Sequence, residues 1–276
     1  MAFSGKAAHD ATHTPELTDD VSDLVGLIAP FDTPLLDAIG SPRLAATSTR
    51  HNWFEGNEHP RKVRENFTHI FTEGVSLTAT MDAVGQHAIE REYDYQVIQR
   101  LRELLRSLEQ VVINGCVGHS AARNTLGVLD FATTALDANG ELLTEAMLNA
   151  ALEKAKDYAP NAIVCGGFQK RKISSFIQAT RKYESETTAL RNMVDVYESD
   201  VGVQRVILSR WVPADKVLLL NLDKLQVMPL AGRSFFVKPL TTSPEFRKAQ
   251  IVGEYTLECV GTPHVITGLS TESARV

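Results

Sequence analysis

The residue types that most often carry chemistry are scattered along this chain of 276 residues. Its 8 histidines show none of the spacing that zinc ligands leave, and the sequence has no CxxC pair and no HExxH motif. The phosphate-binding patterns GxGxxG and GxxxxGKS/T and the nucleophile pattern GxSxG are absent as well. We therefore expect no catalytic residues, no cofactor and no metal site.

The three cysteines lie far apart, at Cys116, Cys165 and Cys259. An odd number of cysteines without a secretion signal is typical of reduced thiols inside a cell. A nucleophilic cysteine would need a neighbouring base, and no local signature supplies one. We predict that all three are unpaired.

The densest charge lies in residues 55–65, where acidic and basic side chains alternate. This pattern suits contact with a complementary protein surface better than a nucleic-acid groove, although a solvated loop would look the same. The candidate contacts in this stretch are Glu58, Arg61, Lys62, Arg64 and Glu65. The adjacent aromatic pair, Trp53 and Phe54, either folds back on its own domain or anchors the chain in another subunit.

The overall composition narrows the function classes. With 43% hydrophobic and 22% charged residues, the chain is typical of a globular protein. Its 28 Lys and Arg against 34 Asp and Glu give a net charge of −6, which disfavours a large basic face for DNA. No run approaches the roughly 20 apolar residues of a membrane helix.

Two short amphipathic segments begin the ordered part of the sequence. Residues 20–28 have apolar side chains at helical spacing, and Thr33-Pro34 predicts a second helix that ends at Gly40. Because these apolar faces have no partner nearby in sequence, we expect an arm that docks on something else. Its candidate contacts are Leu24, Val25, Ile28, Leu35, Leu36 and Ile39.

The next elements are a hairpin and a long helix. Residues 49–55 and 68–72 are strand-like, and we expect the charged stretch between them to join them as a hairpin that leans on a neighbour. Residues 92–114 show one continuous apolar face, which predicts a helix about 34 Å long.

The rest of the chain alternates helices and strands before it becomes mostly strand. Thr144 is placed to cap a helix, residues 161–166 form a short buried strand, and residues 168–183 form another helix. From residue 194 to residue 259 most segments are strand-like. The fold class is therefore α+β, with one long helix, mixed sheets, an arm and a projecting hairpin.

This order of parts resembles the major capsid protein of tailed bacteriophages, which has the Hong Kong 97-type fold. Several stretches resemble one branch of that family, and none of them is a catalytic motif. They are Asp23-Leu24-Val25 through Asp32-Thr33-Pro34-Leu35-Leu36, Val196-Tyr197-Glu198-Ser199-Asp200-Val201-Gly202, Leu208-Ser209-Arg210-Trp211-Val212-Pro213-Ala214-Asp215, and Pro229-Leu230-Ala231-Gly232-Arg233.

The resemblance implies a division of the chain. Residues 1–46 would be the arm, 47–80 the extended loop, 81–125 with 225–276 the peripheral domain that holds the spine helix, and 126–224 the axial domain. The Trp53-to-Glu65 set would then contact a neighbouring subunit through the extended loop, and the Leu24-to-Ile39 set through the arm.

The resemblance also implies a function and a set of partners. The chain would assemble with copies of itself into the pentamers and hexamers of an icosahedral or prolate head around double-stranded DNA. The shell would form in the bacterial cytoplasm and become part of the virion. The other partners would be a separate scaffolding protein, since the sequence begins close to the arm, a portal and, as an optional addition, a decoration protein. DNA would be touched only by weak non-specific contact, and no membrane would be involved.

Three other functions remain open on the sequence. An encapsulin-like compartment shell shares the fold. An enzyme with an unrecognised site would show a concave pocket with converging polar groups. A nucleic-acid-binding accessory protein would show a contiguous basic stripe.

Overall fold

The computed structural model describes residues 32–40, 44–55, 62–78, 92–116, 124–180, 196–240 and 246–271, without the side chains of Lys62 and of residues 177–180. The helices are α1 Pro34–Ile39, α2 Glu92–Asn114, α3 Val128–Phe131, α4 Glu145–Lys154 and α5 Gly167–Thr180, with short 3-10 turns at Lys156–Tyr158 and Leu222–Lys224. The strands are β1 Arg50–Glu55, β2 Lys62–Phe67, β3 His69–Thr78, β4 Thr133–Asp137, β5 Ala162–Cys165, β6 Val196–Ser199, β7 Gly202–Leu208, β8 Val217–Leu220, β9 Leu225–Pro229, β10 Phe236–Pro239, β11 Phe246–Cys259 and β12 His264–Thr267.

The predicted long helix is confirmed as α2, with the expected bounds. Its apolar face, from Val97 through Leu105 to Val112, is buried in the largest core cluster. That cluster also contains side chains from β3, β5, β8 and β11. The helix therefore joins the two main sheets of the described chain, as a spine.

The first sheet is organised around β11, the longest strand. β3 pairs antiparallel along one edge of β11, from Thr78 opposite Phe246 to His69 opposite Tyr255. On the other edge β10 and β9 follow one another. Gly253 leaves room for Phe235, because an added Cβ there would lie 2.4 Å from the Phe235 ring.

The second sheet runs in the order β4-β12-β8-β5-β7-β6 over the described strands. β5 is completely buried, and its side chains alternate between two cores. Ala162 and Val164 pack toward α2, whereas Ile163 and Cys165 pack in the cluster that contains α4 and Ile173 of α5. The Thr144 cap of α4 is confirmed, since its side chain accepts a hydrogen bond from the Met147 amide at 3.3 Å. The sheet is thus covered on both faces, as its mostly apolar central strands require.

One part of the expected division differs from this topology. The resemblance implied that all of residues 225–276 belong to the peripheral domain. In the structure β12 lies between β4 and β8 of the six-stranded sheet. The reason is that Val265 and Ile266 fill the two cores of that sheet. The chain between α2 and α4 also contains α3 and β4, which no sequence pattern above predicted.

The expected hairpin pairing was wrong in its second strand. β1 pairs with β2, from Arg50 opposite Phe67 to Glu55 opposite Lys62, rather than with residues 68–72. Residues 69–78 instead form β3, which pairs with β11. Half of the stretch that we expected to be a charged loop is therefore strand.

No helix of the described residues is long and apolar enough to cross a membrane.

Candidate functional site

The β1–β2 hairpin has two different faces. Residues directly opposite one another on antiparallel strands lie on the same face, and neighbours along a strand alternate. The pairs His51–Asn66 and Trp53–Arg64 therefore lie on one face, and Asn52–Glu65 and Phe54–Val63 on the other. The first face contacts the body of its own chain, and we call it the inner face. The second is the outer face.

Trp53 anchors the middle of the inner face. Its side chain is 6% exposed, and its indole N–H donates to the Cys259 carbonyl at 3.2 Å. The indole ring also meets Phe131 of α3 edge to face, with centroids 5.9 Å apart. Of the two roles that the sequence left open for Trp53, the structure shows the fold back onto its own domain.

Asn66 holds the base of the hairpin. It is completely buried. Its side-chain amide donates to the Leu257 carbonyl at 2.8 Å and the Leu126 carbonyl at 3.1 Å. Its Oδ1 accepts from the amides of Phe67 and Leu126. One short side chain thus joins β2 to β11 and to the segment before α3, with both of its polar atoms satisfied.

A buried carboxylate, Glu254 of β11, holds the chain two residues after Asn66. Glu254 is 2% exposed, and it receives the Thr68 hydroxyl at 2.5 Å and the Arg233 guanidinium at 3.1 Å. Thr68 is the single residue between β2 and β3. The corner where the hairpin leaves the first sheet is therefore held by a charge-assisted network.

The outer end of the hairpin is attached to the body as well. Arg64 Nε lies 2.9 Å from Glu55 Oε2, and its terminal nitrogen donates to the Thr262 hydroxyl at 3.0 Å. Glu55 in turn accepts the Gly261 amide at 2.9 Å. We call these four residues the clasp. Nearer the base, His51 and Glu258 are hydrogen-bonded at 2.7 Å.

The outer face offers a small apolar patch to solvent. Phe54 is 67% exposed and Val63 is 58% exposed, and they lie directly opposite each other. Beside them Arg50 and Glu65 form an exposed ion pair across the strands. No described residue of the body covers this face.

The described part of the arm docks on its own chain. Leu35 is completely buried in the large core cluster, and Leu36 and Ile39 pack against that cluster. Asp32 accepts from Arg106 at 2.6 Å and from Arg210 at 3.1 Å. The Arg106 hydrogen bond, with the charges of both arginines, lowers the pKa of Asp32 despite partial burial. Leu24, Val25 and Ile28 lie outside the described residues.

A buried acid of the spine helix contacts the α1 region. Glu109 is 0% exposed, and Ser209 donates to its Oε1 at 3.0 Å. Burial raises the pKa of Glu109 to about 7. The Ser209 hydroxyl acts in the opposite direction, as do the backbone amides of Leu36 and Leu35. Docking of α1 thus helps to bury the Glu109 carboxyl group, which is mostly protonated below about pH 7.

The structure divides the candidate contact residues into three groups. Trp53, Arg64, Leu35, Leu36 and Ile39 contact their own chain, and their contact with a neighbour stays a prediction. Phe54 and Glu65 are exposed. Glu58 and Arg61 lie outside the described residues, as does the side chain of Lys62.

Sequence reasoning did not single out two positions of the hairpin, Val63 and Asn66. Both lie in or beside the charged stretch, whose other residues are mostly polar. Period-two alternation continued from β1 into 62–67 would have placed both.

Other chemistry is limited in the described part of the chain. It contains no group of three or more His, Cys, Asp or Glu residues that could hold a metal ion. The three thiols are free. Burial raises the pKa of Cys165 and of Cys259 to about 12, so neither is a thiolate at neutral pH.

A family comparison decides what these features belong to. The model of the SU10 major capsid protein matches residues 55–265. The chain belongs to the SU10 major capsid protein family. The match takes in the spine helix and strands β2–β11 of this capsid protein. No curated protein sequence matches it.

Solved structures show the same fold over most of the capsid protein. The capsid asymmetric unit of cyanophage A-1(L) matches with a TM-score of 0.65 at 12% identity, over 86% of this chain and 93% of that one. The holo-SrpI encapsulin complex of Synechococcus elongatus PCC 7942 matches with a TM-score of 0.60 at 11% identity. The match covers 100% of this chain and 99% of that one. The capsid of cyanophage P-SCSP1u matches with a TM-score of 0.56 at 8% identity. The match covers 84% of this chain and 87% of that one.

The fold class and the function expected from the sequence are thereby confirmed. The protein has the α+β fold of phage major capsid proteins, and it is a capsid shell protein that assembles with itself. Its place is the virion.

Proposed function

We propose that this capsid protein forms the pentamers and hexamers of an icosahedral or prolate head that encloses double-stranded DNA. The observation that carries the proposal is the outer face of the hairpin, where Phe54 and Val63 form an exposed apolar pair on a well-anchored ribbon. In a family whose members form shells, an exposed apolar pair on an anchored ribbon is a surface that another protein can cover. In a shell of identical subunits that protein is a second copy, in a repeated head-to-tail contact.

The hairpin contact set follows from the two faces. Phe54 and Glu65 stay proposed contacts, and Val63 joins them. Glu58, Arg61 and Lys62 stay proposed contacts because they continue the same ribbon in sequence. In the arm, Leu24, Val25 and Ile28 stay proposed contacts with a neighbour.

The proposed domain division keeps the arm at 1–46 and the extended loop at 47–80, whose strand β3 also belongs to the β11-centred sheet. The spine helix and the β11-centred sheet support a peripheral domain of residues 81–125 and 225–263. The six-stranded sheet supports an axial domain of residues 126–224, to which β12 is added.

The proposed partners beyond the chain itself are a separate scaffolding protein, a portal and an optional decoration protein. Assembly would take place in the host cytoplasm. The net charge of −6 supports only weak, non-specific contact with the packaged DNA, because an acidic subunit and the phosphates repel each other at long range. We propose no enzymatic activity and no cofactor.

The outer face is tested by removing its apolar pair. The double variant Phe54→Ser, Val63→Ser is expected to assemble at least tenfold more slowly than the wild type by light scattering, because the apolar contact with the neighbour is lost. The thermal melt of the isolated subunit should not change by more than about 0.5 kcal/mol in unfolding free energy, since exposed side chains contribute little to it.

The matched control is Ile70→Ser, which removes an exposed apolar side chain from β3 instead. It should assemble as the wild type does. Normal assembly of the hairpin double variant would contradict the proposal, and so would equal loss in the control.

An encapsulin-like shell is the second candidate, and the encapsulin match over the whole chain favours it. The two candidates differ in the particle. A phage head has one vertex replaced by a portal and contains packaged DNA, whereas a compartment shell has vertices that are all alike. Asymmetric electron-microscopy reconstruction of particles from the producing cells distinguishes them.

A further inference from the structure

The clasp joins both strands of the hairpin to one short turn of the body. Arg64 on β2 contacts Glu55 on β1 at 2.9 Å and Thr262 at 3.0 Å, and Glu55 receives the Gly261 amide at 2.9 Å. Each side of the ribbon thus has its own bond to residues 261–262. Two separate attachments fix an angle, whereas one would leave a pivot.

The turn that receives the clasp is itself fixed. Gly261 has a φ of 81°, in the left-handed region that favours glycine, and an added Cβ there would lie 3.1 Å from the Tyr158 ring. The preceding amide, of Val260, donates to the Lys224 carbonyl at 2.9 Å. Under the hairpin, Phe131 lies 5.8 Å from the Arg64 guanidinium. The clasp therefore closes on a rigid surface.

The clasp differs in kind from the base of the hairpin. Asn66 at the base is uncharged and completely buried. Opening the hairpin there would leave buried polar groups of β11 without their hydrogen-bond partners, which is costly. The clasp is an ion pair at the surface, with the Arg64 side chain 27% exposed and Glu55 13% exposed. Its charges are solvated when it opens, unlike the polar groups around the buried Asn66. The base is thus the fixed end of the hairpin, and the clasp is the end whose position one residue can set.

We propose that Arg64 is a positioning residue, which sets the angle at which the hairpin crosses its own subunit and so aims the outer face at the neighbouring copy. The planar guanidinium suits this role because it holds two acceptors in fixed directions, which a lysine ammonium does not. The aiming rests on the proposed function of the outer face, whereas the angle is a property of the isolated subunit.

The angle is measured by electron-spin distance between two labels on the isolated subunit. Phe54→Cys and Ala146→Cys carry the labels, in a Cys116→Ser background. Cys165 and Cys259 are buried and stay unlabelled. We expect Arg64→Gln to widen the distance distribution at least twofold, and Arg64→Lys to widen it less. The exchange rate of the Gly261 amide should rise about tenfold in Arg64→Gln, since its acceptor Glu55 is no longer held.

Arg50→Gln is the matched control. It removes an arginine that pairs with a glutamate on the same hairpin, but on the outer face. Its distance distribution should equal that of the wild type. Should Arg64→Gln fail to fold, Glu55→Gln opens the clasp from the other strand, and the same widening is expected.

An unchanged distribution in a folded clasp variant overturns the proposal, as does equal widening in Arg50→Gln. Assembly is followed separately with unlabelled Arg64→Gln, which should give irregular particles in place of closed shells. If the distribution widens but closed shells still form, only the claim that Arg64 orients the outer face toward the neighbouring copy is overturned. The fate of the proposed function is decided independently by the Phe54 and Val63 double variant, whose clasp is intact.

Discussion

The inner and outer faces of the hairpin belong to the same two strands but serve different ends. The inner face gives Trp53, Arg64 and Asn66 to its own body, where each has a named partner. The outer face leaves Phe54 and Val63 in water. Residue type alone does not separate the two faces, since each has an aromatic residue and an arginine–glutamate pair. Burial follows from the side of the ribbon on which the register places a residue.

The two arginine–glutamate pairs of the hairpin show the same contrast. Arg50 and Glu65 are exposed to water and bond mainly to each other across the outer face. Arg64 and Glu55 continue into Thr262 and Gly261 of the body. An isolated surface pair stabilises little, because water competes for both charges. A pair that is bonded further into rigid structure can instead determine a direction.

The largest effect is expected where an inner aromatic residue is removed. Trp53→Ala should lower the free energy of unfolding of the isolated subunit by about 3–5 kcal/mol, through lost burial and the cavity it leaves. Phe54→Ala, next to it on the outer face, should change it by less than about 0.5 kcal/mol. Urea unfolding compares the two. Similar losses in both variants would break the distinction between the faces.

The same distinction applies to the arm. Leu35→Ala should cost about 2–5 kcal/mol in the isolated subunit, because Leu35 is completely buried in the core of its own chain. Leu44→Ala is the control, since that side chain is 72% exposed. A melt of Leu35→Ala that matches the wild type would mean that α1 belongs to a neighbouring subunit.

The buried carboxyl group of Glu109 should make the stability of the isolated subunit depend on pH. The folded-state pKa of Glu109 is raised by burial from 4.5 to about 7, so the native state binds more protons than the unfolded state between these values. Stability should therefore fall as the pH rises from about 4.5 to 7 and then level off, by about 3 kcal/mol at most.

Glu109→Gln should remove that fall and make the subunit more stable than the wild type at pH 8. Phe54→Ser, on the outer face, should leave the pH profile as it is, because it removes no titratable group. Denaturant melts at a series of pH values measure both. A Glu109→Gln variant that is less stable at pH 8 would show that the ionised carboxylate is needed by the α1 amides.

The smallest effect is expected for the outer ion pair. Arg50→Gln should change the unfolding free energy by about 0–1 kcal/mol, and added salt should erase the difference because exposed pairs are screened. Thermal melts at low and high salt test this. A salt-independent loss would mean that Arg50 is held by its own body, as Arg64 is.

Local sequence signals were sufficient where burial has a short period along the chain. The apolar face of residues 92–114 fixed the spine helix, and Thr144 began α4 where expected. The short apolar run at 162–165 became a central strand. Such signals suffice because the pattern of burial repeats within the segment itself. The order of these elements, with the stretches around 196–215, was enough to indicate the family.

Only the tertiary structure decided which strands pair and which faces turn inward. Residues 62–67 and 69–78 both form strands, and which of them pairs with β1 depends on the edge of β11, almost two hundred residues away. Asn66 and Thr68 are polar, yet they are buried because their hydrogen-bond partners come from β11. The same holds for Leu35, whose core is supplied by α2 and the sheets. No local pattern contains a partner so distant in sequence, and the two faces of the hairpin become different only when that partner is in place.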